Sequence, residues 1–271
     1  TKDIVELFNV FDDNVRLVGG CVRDYLLGKK VNDYDLATPL CPKTVISLLK
    51  QNDIPVYPTG LKHGTVTAVY KGIPYEITTL RRDISSDGRH ADVAFVDSYA
   101  TDAHRRDFTV NALYMDKAGN ISDYTNGLKD LSTRRIRFIG EANARVQEDF
   151  LRILRYFRFL ALFGTKRIDE ESLSACRIHK NGLCSISAER IRAEMMKLLM
   201  GRYVINSLNL MQESGVLSVI LPKADVGRLA TFLKSYPRAD SLMRLSALVD
   251  SPQAVAWKWS KAERKQLGLY G

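Results

Sequence analysis

The chain has 271 residues, 45% hydrophobic and 26% charged, with 40 Lys/Arg against 31 Asp/Glu for a net charge of +9. That balance excludes a disordered chain, and at ~100–200 residues per domain it predicts one large or two medium domains. No apolar run approaches the ~20 residues that span a bilayer, and the first residues lack a cationic-then-apolar export pattern. In chain order, short β-rich runs at Arg16–Gly19, Tyr34–Leu36, Val66–Tyr70, Tyr75–Thr79 and Arg137–Ile139 alternate with helical stretches such as Cys21–Leu27 and Pro42–Gln51. Residues up to about 140 therefore read as mixed α/β. From Ala142 the period becomes helical. Phe150, Leu151, Leu154, Phe157 and Leu160–Leu162 form one apolar stripe, and Ile191, Met195, Leu198 and Leu199 another. Ser187 offers a helix start and Gly201 a stop, and residues 203–214, 225–236, 239–249 and 260–268 also read as helices. The predicted fold class is α+β, a mixed sheet with flanking helices followed by an all-helical region.

Charge divides at the same place. Residues 1–140 hold 19 Lys/Arg and 18 Asp/Glu, whereas residues 141–271 hold 21 and 13, a balance of +8. A basic second half is expected to face a polyanion. Cys21, Cys41, Cys176 and Cys184 form no C-x-x-C pair, and the four histidines complete no four-ligand zinc pattern with them. Reduced thiols are expected rather than disulfides or structural zinc, which suits the cytoplasm.

The stretch Leu17–Thr38 carries the most chemistry. A strand ends in Gly19-Gly20, a short helix opens, and a second strand brings Asp33-Tyr34-Asp35. Two glycines at a strand-to-helix turn let backbone approach a phosphate, and Arg23, one turn into the helix, can reach phosphate oxygens. Side chains alternate along a strand, so Asp33 and Asp35 are expected on one face. Paired carboxylates repel unless a cation lies between them, and such oxygen ligands suit Mg²⁺ completed by substrate phosphates. Two metal ions so held activate a hydroxyl nucleophile and neutralise departing pyrophosphate. Glu76 is a candidate third carboxylate. The stretch has neither the Lys of a phosphate-binding P-loop nor a G-x-G-x-x-G pattern.

With these residues in place, the chain resembles the class II nucleotidyltransferases of the DNA polymerase β superfamily, the CCA-adding enzymes (tRNA nucleotidyltransferases) and bacterial poly(A) polymerases. The resemblance runs over residues 15–202 and implies a nucleotidyltransferase head (1–140), a helical neck (141–202) and a shortened helical body (203–271), with the tail reduced or absent. Leu17–Thr38 is similar to the metal and triphosphate motif. Arg105-Arg106-Asp107 to Asn111 resembles the motif that contacts the sugar, implying ribose-binding roles for Arg106, Asp107 and Asn111. Asp123 to Leu131 resembles a hinge motif. Glu148-Asp149 to Arg152 and Arg155 resembles the amino-acid template that selects the base. Ala188 to Leu199 resembles a supporting neck helix with Arg190 and Arg192. The polar segment between Leu80 and His104, with Arg81, Arg82, Asp83 and Arg89, resembles the flexible loop of CCA-adding enzymes.

A polymerase without a nucleic-acid template must read the base with protein. On a continuous helix, Glu148 and Asp149 sit (i, i+4) and (i, i+3) from Arg152, placing acid beside base. Cytosine and adenine both offer an amino donor next to a ring-nitrogen acceptor, so an Asp that accepts and an Arg that donates satisfy either. Uracil and guanine present the reverse and would cost ~1–3 kcal/mol for each unsatisfied group. The resemblance therefore implies an enzyme that uses CTP and ATP with two Mg²⁺ ions to add two CMP and one AMP to the tRNA 3′ acceptor end. No membrane or protein partner is implied. Alternatives are a poly(A) polymerase, a CC-adding or A-adding enzyme of the same family, or an RNA-binding module without catalysis.

Overall fold

A computed structural model describes residues 2–86, 91–252 and 255–270. The chain divides into two compact units, Thr1–Ser132 with Arg137–Gly140 and Thr133–Ile136 with Glu141–Gly271.

In chain order the first unit carries α1 (Lys2–Asn9), β1 (Arg16–Val18), α2 (Gly20–Leu26), β2 (Tyr34–Thr38), α3 (Pro42–Gln51), β3 (Val56–Gly60), β4 (Thr65–Tyr70) and β5 (Ile73–Thr79). It continues through β6 (Arg81–Ser86), β7 (Ala91–Phe95), α4 (Tyr99–His104), β8 (Leu113–Met115), β9 (Ile121–Asp123) and α5 (Gly127–Thr133). Seven of these strands form one mixed sheet in the order β3-β4-β5-β2-β1-β8-β9. The central pair β2 and β5 runs parallel, with Asp35 opposite Glu76, while the flanking pairs are antiparallel. Val18, Ala37, Leu80, Ala103, Ala112, Tyr114 and Ile139 make a core cluster against which Val96 and Tyr99 pack.

The structure corrects two strand expectations. Arg137–Ile139 is not a strand. It makes one isolated bridge, Phe108 to Phe138, and Gly140 then turns away at φ +79°. Asp33 lies just before β2, which starts at Tyr34 opposite Tyr75. The next β5 residue toward Asp33 would be Pro74, which has no N–H with which to extend the ladder.

The polar segment after Leu80 contains built structure. β6 and β7 pair as an antiparallel ribbon from Arg81 opposite Phe95 to Ser86 opposite Ala91. α4 follows, capped by the Ser98 hydroxyl accepting from the Thr101 N–H at 3.3 Å. Arg89 and the side chain of Asp83 lie outside the described residues.

The second unit contains α6 (Ala142–Glu148), α7 (Leu151–Phe163), α8 (Glu170–Ile178), α9 (Ala188–Leu199), α10 (Val204–Glu213), α11 (Val216–Ile220), α12 (Val226–Ser235), α13 (Ser241–Leu248) and α14 (Lys261–Tyr270). α7 is its hub: Ile153, Leu154, Tyr156, Phe157 and Ala161 are fully buried, and α9 and α10 pack against it. Gly201 permits a close approach, since a Cβ there would stand 2.6 Å from the Ala161 carbonyl oxygen. The Ser207 hydroxyl donates to the Phe157 carbonyl at 2.7 Å. Buried Arg244 donates to the Leu199 carbonyl at the end of α9 at 2.7 Å, satisfying a carbonyl that the helix leaves unpaired.

Candidate active site

The glycine turn is where the sequence placed it. Gly19 has φ +75°, a conformation that costs a side-chain-bearing residue, and its N–H donates to the Leu113 carbonyl at 3.1 Å. A Cβ at Gly19 would meet Arg106 Nη1 and the Asn111 carbonyl, each at 3.5 Å. Gly20 opens α2, which buries Cys21, Val22 and Arg23. Burial pushes the Cys21 thiol up to about 11, so it stays protonated and unreactive at neutral pH. Arg23 is turned inward: Nη1 donates to Asn111 Oδ1 at 2.5 Å, while Nε and Nη2 donate to Asp24. Asn111 Nδ2 in turn donates to Asp107 Oδ1 at 3.1 Å. The expected phosphate and sugar residues Arg23, Asn111 and Asp107 thus form one hydrogen-bonded line from α2 to the turn Thr109–Asn111.

Three carboxylates share a field beside that turn. Asp35 and Glu76 are in-register neighbours on adjacent parallel strands, so their side chains leave the same face. Burial raises the Asp35 carboxyl above its ordinary range; Glu76 and Asp33 push it further, and Arg106 opposes them. Like charges crowded into a half-buried site favour a cation between them. Among the described residues no three His, Cys, Asp or Glu side chains are grouped so as to hold a metal ion by themselves. Mg²⁺ requires less, since one or two carboxylates suffice when substrate phosphates and waters complete its shell. Asp35 and Glu76 supply oxygen donors of the kind such an ion takes, with Asp33 in the same electrostatic field.

Arg106 sits among charged and polar groups. Its Nη2 and Nε donate to Asp102 Oδ2 at 2.9 and 3.2 Å, and Nε also reaches the Tyr114 hydroxyl at 3.1 Å. The Tyr114 hydroxyl donates to the same Asp102 oxygen at 2.7 Å. Arg105 Nε and the Arg81 N–H donate to Asp102 Oδ1. Burial alone would raise the Asp102 carboxyl, yet Arg106, Arg105 and Tyr114 hold it at about 2. Arg81 also donates to the His63 carbonyl, and Arg82 is exposed.

The expected base-selecting residues belong to the second unit, and there the structure corrects the sequence reading. Glu148 to Arg155 is not one helix. α6 ends at Glu148, Asp149 is extended at φ −158° and ψ 104°, and α7 begins at Leu151. The interruption redistributes the partners. Glu148 binds Arg152 at 2.5 Å and also Arg145, while Asp149 binds Arg190 of α9 at 2.7 Å. Asp149 Oδ1 also accepts from the Leu151 N–H at 3.1 Å, so the break itself caps α7. Arg152 Nη1 additionally donates to the Arg145 carbonyl at 2.7 Å. Arg155 and Arg158 flank buried Glu194 of α9 at 3.8 and 2.8 Å, and Arg192 pairs with Glu263 of α14.

Comparison with known proteins bears on both units. Residues 15–137 match the family described as "Poly A polymerase head domain", and residues 167–227 match "Probable RNA and SrmB- binding site of polymerase A". The crystal structure of the Bacillus stearothermophilus CCA-adding enzyme in complex with CTP superposes with TM-score 0.79 at 31% identity, covering 99% of this chain and 68% of that one. The chain belongs to the class II CCA-adding enzyme and poly(A) polymerase family.

Other relatives agree. The Danio rerio "CCA tRNA nucleotidyltransferase 1, mitochondrial" is 40% identical over 222 residues, 80% of this chain and 52% of that protein. The Leuconostoc citreum "CCA-adding enzyme" is 38% identical over 262 residues, 92% of this chain and 64% of that protein. The chain thus spans about half the length of the vertebrate relatives it matches. Within this family member, sequence inspection passes over Asp102, Tyr114 and Glu194. Asp102 had a visible signal, an acid three and four residues before Arg105 and Arg106 on one helical turn. Glu194 had none, because only folding brings α9 against α7.

Proposed function

We propose that this family member is a CCA-adding enzyme, transferring two CMP and one AMP to the 3′ end of tRNA with release of pyrophosphate. The observation that carries the reading is the crowding of Asp33, Asp35 and Glu76 beside a Gly19 turn and Arg106. When bound, two Mg²⁺ ions would activate the terminal RNA hydroxyl and neutralise the leaving pyrophosphate. Asp33 and Asp35 would hold them, with Glu76 adding negative charge at the same face. The Gly19–Gly20 turn and Arg23 would take the triphosphate, and Arg106, Asp107 and Asn111 the ribose. Arg81, Arg82, Asp83 and Arg89 are assigned to the segment that helps switch the site from C to A. Glu148, Asp149 and Arg152 are assigned to choosing the base, supported from α7 and α9 by Arg155, Arg190 and Arg192. Names of relatives that include CCA-adding enzymes, one of them solved with CTP, favour this reading over a poly(A) polymerase. We place the reaction in the cytoplasm; the four cysteines are free, and among the described residues no helix is long and apolar enough to cross a membrane.

The test is single-nucleotide incorporation with Mg²⁺ on tRNAs ending before CCA, after one C and after CC. Two C and one A, followed by arrest, is the expected result, and Asp33→Ala abolishes every addition. A long A tract on generic RNA would establish polyadenylation instead, and no incorporation would leave an RNA-binding module.

A further inference from the structure

The field of Arg106 opposes the raised Asp35 carboxyl, and its Nη1 lies against the Gly19 turn. An arginine side chain has several rotatable bonds, so this placement needs an anchor. Asp102 is 1% exposed, one turn ahead of Arg106 on α4. Its Oδ2 accepts from Arg106 Nη2 and Nε, and Arg106 Nη1 lies beside Gly19. Tyr114, fully buried on β8, donates its hydroxyl to the same oxygen and accepts from Arg106 Nε, closing a three-membered ring of hydrogen bonds. The arginine is therefore fixed from two elements, α4 and β8. A planar fork held along one edge loses little further freedom when its other edge takes a ligand.

We propose that Asp102 is a positioning residue, which, with Tyr114, holds Arg106 so that its Nη1 edge meets the bound nucleotide at the Gly19–Gly20 turn. This rests on the nucleotide site proposed above, and it assigns Asp102 no contact with substrate. Asp102 acts only through Arg106, and that makes it testable as a coupled pair.

The experiment is a calorimetric titration of the full chain with CTP, for wild type, Asp102→Asn, Arg106→Ala and the double variant. Asp102→Asn is expected to weaken CTP binding about tenfold or more, the scale of a charge-assisted hydrogen bond, and to add nothing once Arg106 is already Ala. In turnover the loss falls on KM, with kcat at saturating CTP largely kept. Tyr114→Phe, which removes one oxygen from an otherwise intact core, weakens binding in the same direction and by less. Wild-type affinity in Asp102→Asn, independent losses in the double variant, or a loss confined to kcat would overturn the proposal. Binding is read without turnover, so a chain that binds CTP but extends no RNA refutes the proposed function while this cycle still decides the role of Asp102. A wild-type chain that does not bind CTP overturns both.

Discussion

Asp102 shows how one buried charge is made tolerable. An isolated carboxylate at 1% exposure would be neutral, but two guanidinium groups and a hydroxyl reverse the effect of burial. Its folded value of about 2 lies below the ordinary 3.8, so its ionised form stabilises the fold at every pH above that ordinary value. That contribution, on the order of 2 kcal/mol, is lost as pH falls from about 4 toward 2. Urea unfolding of wild type and Asp102→Asn is expected to show a clear gap at pH 7 that closes across this acid window. A gap independent of pH would mean the carboxylate does not carry the charge pairing. At this scale the sequence was most informative about groups defined by their local spacing. Gly19, Gly20, Asp35 and Arg23 announce themselves by order along the chain. The inward turn of Arg23 onto Asn111 was not legible, because it depends on a partner far away in sequence.

At the scale of elements, helices with a strong period were legible and interruptions were not. Pro42–Gln51 matches its expected bounds because Pro at the first turn and a regular apolar stripe both act locally. The break at Asp149 escapes a periodic reading, since Glu148, Arg152 and Arg155 hold helical spacing on both sides of it. What marks the break is the Asp149 carboxylate, which caps α7 through Leu151 and reaches α9 through Arg190. The start of α5 depends on another local device. Asp123 accepts from the N–H groups of Thr125, Gly127 and Leu128, and the chain at Gly127 runs so close to Thr109 that a Cβ would stand 2.2 Å from its carbonyl oxygen. Gly127→Ala is therefore expected to destabilise by about 1–3 kcal/mol, from overpacking against backbone that cannot yield. Gly268 in α14 has open space around it, and Gly268→Ala should be neutral or gain up to about 1 kcal/mol. Denaturation midpoints measure both, and equal effects at the two sites would contradict the packing at Gly127.

For the whole molecule, the net charge of +9 is concentrated after residue 140, where 21 Lys/Arg face 13 Asp/Glu. Many of those cations are already committed within the second unit, such as Arg155 and Arg158 to Glu194, Arg192 to Glu263 and Arg190 to Asp149. On the proposed function, that excess of positive charge serves the phosphates of RNA. Binding of tRNA is thus expected to weaken by at least about tenfold between 50 and 200 mM KCl, as counterions compete for the same surface. Filter binding across that range checks it, and a salt-independent affinity would rule out phosphate contacts as its main source. Length, charge asymmetry and the change of period near residue 140 were all legible in the sequence. The exchange of Thr133–Ile136 and Arg137–Gly140 between the two units was not, because four-residue crossings leave no compositional mark.

On the proposed function, side chains of this protein replace a nucleic-acid template. The most direct test supplies each of the four nucleoside triphosphates singly to wild type and Arg152→Ala, on one tRNA lacking CCA and on another ending in CC. Wild type should incorporate C and, once CC is in place, A, while Arg152→Ala should lose rate and admit U or G. Unchanged selectivity in Arg152→Ala would contradict the claim.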